Sequence, residues 1–180
     1  MTWKIDDPEG NESAKIKWEI VPYTKGKGLD LGCGPHKPFP HFIGVDNGNH
    51  ALFGWNFKPD VFVETCEKMD IFASQSMDFV FSSHLLEHIE DYPAALKEWY
   101  RVLKVGGYLI LYLPDEDEYP KVGEEKANPE HKWNVNYDKV VEAMPGGYDL
   151  IDFQKRNQEK EYSLFFVFKK TNNGKHFSWN

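Results

Sequence analysis

GLDLGCG at residues 28–34 and FIGVD at 42–46 decide the fold of this 180-residue chain. The first stretch reads as a short apolar strand carrying Asp30, then a turn with glycines at 32 and 34. The second is a strand at 42–45 that delivers Asp46. Glycine lets a backbone approach a ligand closely and take positive φ without a Cβ clash. Cys33, between the two glycines, is a small residue suited to the same turn. An acid at the carboxyl end of the second strand is where a doubly wound sheet grips a ribose diol. A plain turn after a strand would explain the glycines but not both carboxylates. The two segments together imply a nucleoside-containing cofactor.

NAD and S-adenosylmethionine compete for that place. A dinucleotide fingerprint needs a third glycine, under which a helix packs against the pyrophosphate, and an acid about 20 residues on. Here Lys37 stands where that glycine belongs, and Asp46 follows Gly34 closely. Pro35, Pro38 and Pro40 make a regular helix between the strands unfavourable, and a pyrophosphate without a helix N-terminus lacks its usual donors. A cofactor with no phosphate has no such need. Asp30 suits a ligand carrying an ammonium and a sulfonium better than one carrying two phosphates.

Outward from this pair, strand and helix signals alternate, the pattern of a mostly parallel sheet flanked by helices. Strand-like runs lie at 28–31, 42–45, 61–64, 78–82 and 108–113. A helix is predicted over 12–21 from a Ser13 cap, burying Ala14, Trp18 and Val21. Asp91 caps a second helix, with Leu96, Trp99, Tyr100 and Leu103 at helical spacing and Gly106-Gly107 as its stop. A third spans 136–144, ended by Pro145-Gly146-Gly147. YDLIDFQ and YSLFFVFKK, joined by the polar turn KRNQEKE, read as a closing hairpin that adds an antiparallel edge. The chain reads as one domain over 1–180, with an N-terminal arm at 1–24, a long connection at 115–135 and a loose tail at 171–180. Phe177 and Trp179 are that tail's docking groups.

Five segments in order resemble the class I S-adenosylmethionine-dependent methyltransferases: LDLGCG (29–34), GVD (44–46), KMD (68–70), DFVFSSHLLEHI (78–89) and ALKEWYRVLKVGGYLILYLPD (95–115). The compressed first loop, with SSHLLEH and RVLKVGG, is most similar to small methyltransferases found beside, or fused to, glycosyltransferases. The resemblance spans about 14–170; GCGPHK replaces the commoner GxGxG. It implies a Rossmann-like α/β sheet ordered 3-2-1-4-5-7-6, mostly parallel with an antiparallel C-terminal strand, and S-adenosylmethionine as cofactor. Ligands in such sheets lie beyond the carboxyl ends of the strands. The residues implied to bind it are Asp30, Gly32, Cys33 and Gly34 after strand one, and Asp46 and Asn47 after strand two. Met69 and Asp70 follow strand three, and Ser82 and Ser83 strand four. Asp46 would accept both ribose hydroxyls and Asp70 the adenine amino group.

Methyl transfer is an in-line displacement in which the cofactor carries the hard chemistry and the protein supplies alignment. A hydroxyl acceptor gains from a general base. His84, at the start of the turn after strand four, is the first candidate and His131, in EHKWN, the second. Glu87 and His88 follow His84, but no third ligand is evident, so no metal is expected and His88 reads as a structural hydrogen-bonder. The connection at 115–135 has the length of a lid or acceptor loop. Its acids Asp115, Glu116, Asp117 and Glu118 read as a solvated face. Tyr112, Tyr119, Trp133 and Tyr137 flank its mouth, and Trp18 and Tyr23 are placed to close over the cofactor, as the family's arms do.

With 29 acids against 21 bases, the chain repels nucleic-acid phosphates. Cys33 and Cys66 lie far apart without a C-x-x-C, so neither a disulfide framework nor a zinc site is indicated. No signal-like segment and no apolar run of about 18 residues occurs, which points to a cytoplasmic protein without a membrane partner. The reading is methyl transfer to a small-molecule or sugar acceptor at oxygen, with glycosyltransferase association by analogy. Its rivals are a partner module that binds S-adenosylmethionine without catalysis and an NAD-dependent oxidoreductase.

Overall fold

The computed structural model describes residues 11–50, 55–157 and 161–171; Phe177 and Trp179 lie outside them. The strands are β1 (Gly28–Leu31), β2 (Ile43–Asp46), β3 (Asn49–His50), β4 (Trp55–Asn56), β5 (Val61–Phe62), β6 (Met77–Ser83), β7 (Leu103–Pro114), β8 (Tyr148–Arg156) and β9 (Ser163–Lys170). β3 and β4 form a small antiparallel pair. The other seven make one sheet in the order β5-β2-β1-β6-β7-β9-β8. Pairing is parallel as far as β7, and β9 runs antiparallel to both β7 and β8. This is the expected doubly wound order, reversing between β1 and β6.

Alternation along the central strands sends side chains into two cores. Val80, Leu109, Leu111 and Phe166 meet Leu96 and Trp99 of α1 (Tyr92–Val102) and Val140 of α2 (Tyr137–Ala143). Phe79, Phe81, Ile110, Tyr112 and Phe165 fill the opposite face, closed by Phe42 and by Ile16 and Ile20 of the arm. Each fully buried side chain of this size contributes roughly 1.5–3 kcal/mol, so the two isoleucines anchor the described part of the arm, residues 11–24, in which no α-helix forms.

Two of the helices differ from the sequence reading. The arm forms 3-10 turns at Glu12–Ile16 and Val21–Tyr23 in place of a helix over 12–21. Ser13 is not its cap; its hydroxyl donates to Asn11 Oδ1 at 3.0 Å. Ile16 and Ile20, the more apolar i, i+4 stripe, take the sheet face, leaving Trp18 and Val21 exposed. α1 is capped by Asp91, which accepts from Ala94 N–H at 3.0 Å, but Gly106 and Gly107 do not end it. Leu103 turns extended and pairs with Met77, so the helix runs directly into β7. The glycines lie inside that strand beside a register irregularity between Met77 and Phe79, where Gly106 takes φ 84°.

Candidate active site

A cleft of about 790 Å³ opens beyond the carboxyl ends of β1, β2, β5 and β6, where the strand order reverses and doubly wound sheets bind ligands. Its size falls in the roughly 300–1,000 Å³ range of small-molecule sites.

The turn after β1 makes one wall. Gly32 takes φ 67° and Gly34 φ 53°, and Gly32 N–H donates to Val45 O at 2.9 Å. A Cβ on Gly32 would lie 2.9 Å from Leu85 Cβ, so the turn passes beneath the loop after β6 only as glycine. No helix follows in residues 32–42. Lys37 instead donates to Phe42 O at 3.0 Å and pairs with Asp60, tying the loop to β2. A pyrophosphate would therefore find no helix N-terminus in this loop.

Two carboxylates face the cleft here. Asp46 accepts from Gly34 N–H at 3.1 Å through one oxygen and from Gly48 N–H at 2.9 Å through the other; lone pairs remain for further donors. Asp30 is only 3% exposed, and its Oδ2 has no hydrogen-bond partner. Burial holds the Asp30 carboxyl well above its usual range; Lys37 opposes this, while Asp46 and Asp60 reinforce it. Burial likewise pushes the Cys33 thiol up, which suits packing rather than reactivity.

The opposite wall follows β6. His84 has φ 51° and its N–H donates to Tyr112 O at 2.8 Å, which reverses the chain into the cleft. Its Nε2 lies 3.1 Å from Ser163 Oγ and its Nδ1 3.4 Å from Glu87 Oε1. Glu87 has no exposed surface and sits in the 3-10 turn Leu86–His88. His88 Nε2 and His131 Nε2 each stand 3.9 Å from the same Oε1. Burial pushes the Glu87 carboxyl up, but its interactions with His84 and His88 outweigh this and hold it below its ordinary value. His131 reaches the turn because Lys132 N–H donates to Glu87 O at 2.8 Å and Trp133 Nε1–H to Leu86 O at 3.0 Å. Burial lowers His131 to about 4 against the pull of Glu87, so its imidazole is neutral at pH 7. The sequence spacing showed no third group for Glu87 and His88; the fold supplies it.

Of the residues expected to bind cofactor or act in catalysis, Asp30, Gly32, Cys33, Gly34, Asp46, Asn47, Ser83, His84 and His131 line the cleft. Met69, Asp70 and Ser82 do not. Met69 is buried in the α1-side core, its N–H held by Glu98 Oε1 at 2.8 Å, while Asp70 faces solvent beside Lys68. β6 runs one residue further than expected, which leaves Ser82 inside the sheet opposite Leu31 and Leu111. Glu64, Thr65 and Glu67, just past β5, line the cleft instead. The rule that selected Asp46, an acid at a strand's carboxyl end, points equally to Glu64.

The arm contributes Asn11, Glu12 and Ser13 rather than Trp18 and Tyr23; Tyr23 packs on Tyr108 at 5.4 Å. No sequence signal marked those three. Of the four aromatics assigned to the mouth, Tyr119 lines the cleft, joined by Tyr162. Lys155 pairs with Asp115 and Asp117 and Lys139 with Glu116, so these acids are engaged within the fold.

Residues 29–111 match the sequence profile of a family described as a methyltransferase domain. The fold is that of class I S-adenosylmethionine-dependent methyltransferases. Among solved structures, the chain is similar to an S-adenosylmethionine-dependent methyltransferase from Mesorhizobium loti, at 12% identity and TM-score 0.65 over 89% of this chain and 98% of that one. It is also similar to one from Archaeoglobus fulgidus, at 18% identity and TM-score 0.61 over 87% and 92% of the two chains. A third, from Methanosarcina mazei, gives 17% identity and TM-score 0.59 over 86% and 98%. None of the curated proteins matches the sequence.

The cleft suits a ligand that carries a cation and a diol and no pyrophosphate. Asp30 presents a buried carboxylate oxygen lacking a donor, Asp46 keeps acceptor capacity for a diol, and the first loop carries no phosphate-binding helix. No helix among the described residues is long and apolar enough to cross a membrane.

Proposed function

We propose that this chain transfers the methyl group of S-adenosylmethionine to an oxygen of a small-molecule or sugar acceptor. The observation that carries the reading is a buried Asp30 carboxylate with a bare oxygen, sharing one cleft with His84. Bound there, the cofactor supplies a methyl group activated by its sulfonium. Asp30 receives the ammonium, Asp46 and Asn47 the ribose, and the turn at Gly32, Cys33 and Gly34 passes close beneath; Ser83 lies where the wall turns toward the acceptor. The segment at 63–67 takes the adenine side, the place first assigned to Met69 and Asp70.

The 115–135 segment, through Tyr119 and His131, forms the acceptor side. His84 Nδ1 faces Glu87 and its Nε2 meets Ser163 Oγ; Nε2 takes the acceptor's proton in exchange for the Ser163 contact, while the Glu87 carboxylate steadies the imidazolium. His131, held near 4 by burial, is too weakly basic for that step at neutral pH. The similarity of the first loop, SSHLLEH and RVLKVGG to methyltransferases found with glycosyltransferases favours a sugar or nucleotide-sugar acceptor.

A panel of sugars, nucleotide sugars and small phenols, incubated with cofactor carrying a labelled methyl group, tests this. Methyl ethers are the expected products. Label appearing only on amines or thiols would move the reaction off oxygen. Tight cofactor binding with no transfer across the panel would favour a binding module.

A further inference from the structure

Glu87, His88 and His131 each offer one ligand atom, and these atoms lie within 4.8 Å of one another on the cleft wall. The Glu87 Oε1 distances to His88 Nε2 and His131 Nε2 are both 3.9 Å. Ligands about 2.1 Å from a tetrahedral ion stand about 3.4 Å apart, so side-chain rotations of roughly an ångström complete the set. A second observation points to a ligand. Glu87 has no exposed surface, and neither carboxylate oxygen makes a hydrogen bond of good geometry. A buried carboxylate whose imidazole neighbours stand at 3.4 and 3.9 Å, none in hydrogen-bonding geometry, is costly, and the packing of this turn does not call for one, because Leu86 and Ile89 fill the core.

The frame around the trio is already built. Lys132 N–H donates to Glu87 O, Trp133 Nε1–H to Leu86 O, and the Trp133 ring stacks on Tyr92 at 3.8 Å. Two segments far apart in the chain are thus locked together at the three ligands. The His88 and His131 rings lie 4.8 Å apart and nearly perpendicular.

We propose that Glu87, His88 and His131 bind one divalent transition-metal ion, whose open position toward the cleft receives the acceptor's hydroxyl oxygen. Two imidazoles and one carboxylate suit zinc, iron, cobalt or manganese better than calcium or magnesium. Three protein ligands leave a position open, as in catalytic rather than structural sites. An ion there lowers the pKa of the hydroxyl it holds. The hydroxyl proton passes to His84, the oxygen–carbon bond forms as the carbon–sulfur bond breaks, and the electron pair leaves with sulfur. The ion's role toward the acceptor rests on the oxygen-transfer reading above; the metal-binding claim stands without it.

The full chain, stripped with chelator and dialysed, is titrated with Co²⁺ and followed by visible absorption. One saturable equivalent per chain is expected. Glu87→Gln should weaken binding at least about tenfold, and the double variant His88→Gln/His131→Gln should abolish the bands while circular dichroism shows a cooperative melt. His36→Ala, at the cleft rim, should bind as wild type does. No saturable band in folded wild type, or bands retained in both the Glu87 variant and the double variant, would overturn the proposal. S-adenosylhomocysteine is titrated into the same protein separately. Binding of Co²⁺ alone keeps the metal site and removes the cofactor reading; binding of the nucleoside alone does the reverse.

Discussion

On the wall after β1 and β2, Asp46 has each oxygen met by a backbone N–H at 3.1 and 2.9 Å, and Asp30 has one oxygen met by nothing. On the wall after β6, Glu87 has three imidazoles within 3.9 Å. Lys37 acts on Asp30 from a distance but makes its own contacts with Asp60 and the Phe42 carbonyl. In the proposed function the first wall takes a ligand that brings a cation and hydroxyls. The second wall carries its compensating groups with it, and these are groups that move protons or bind metal ions. The proposed function therefore divides binding and chemistry between the walls, and substitutions on each should act on different measurements.

The division breaks most visibly at His84. His84→Ala should lower turnover by roughly 10²–10⁴-fold, the range for a general base, while calorimetry shows an unchanged cofactor affinity. A parallel fall in affinity would mean that the two walls are one site. Next in size is Asp46→Ala, expected to weaken cofactor binding about 10–100-fold, the equivalent of about 1–3 kcal/mol for a buried polar group left unpaired. Asp70→Ala, on the solvent side of Lys68, should stay within about twofold in the same titration. A comparable loss at Asp70 would show that the adenine side had been misplaced.

The smallest effect sharpens the comparison from the side of stability. Burial raises the folded-state pKa of Asp30 above its unfolded value of about 3.9. Its contribution to stability is thus complete below about pH 4 and lost as pH rises through the raised value. Ligand-free protein carries that penalty at pH 7, and Asp30→Asn removes it. The melting temperature at pH 7 should rise by about 2–4 °C, the shift about 1 kcal/mol produces in a chain of this length, with no gain at pH 4. Cofactor affinity should fall. A variant that melts like wild type at both pH values would show that the carboxylate finds a donor in solution.

What could be read from the sequence tracks how local each feature is. The β1 turn, the absence of a helix between Gly34 and Phe42, the Asp91 cap and the closing hairpin each follow from a few adjacent residues. Alternating strand and helix signals implied a mostly parallel sheet, and its order came from the resemblance to the methyltransferase family. Ser82 lies inside the sheet because β6 runs one residue further than expected, and Asp70 faces solvent where Glu98 on α1, distant in sequence, holds the Met69 N–H. The arm's inward face was misjudged because the sheet, not helix propensity, chose Ile16 and Ile20. The meeting of Glu87, His88 and His131 depends on the bonds from Lys132 N–H to Glu87 O and from Trp133 Nε1–H to Leu86 O, which no spacing in the chain records. The carboxylate wall was legible in outline; the histidine wall was assembled by tertiary structure.

The central claim is that the cleft holds S-adenosylmethionine across the ends of β1 and β2. Isothermal titration with S-adenosylmethionine and S-adenosylhomocysteine, paired with thermal melts, tests it most directly. One site per chain is predicted for each compound, with stabilisation approaching about 2.7 kcal/mol at a hundredfold excess over the dissociation constant. Protein that is folded by circular dichroism, yet gives neither heat nor a shift in melting temperature with either compound, would contradict it.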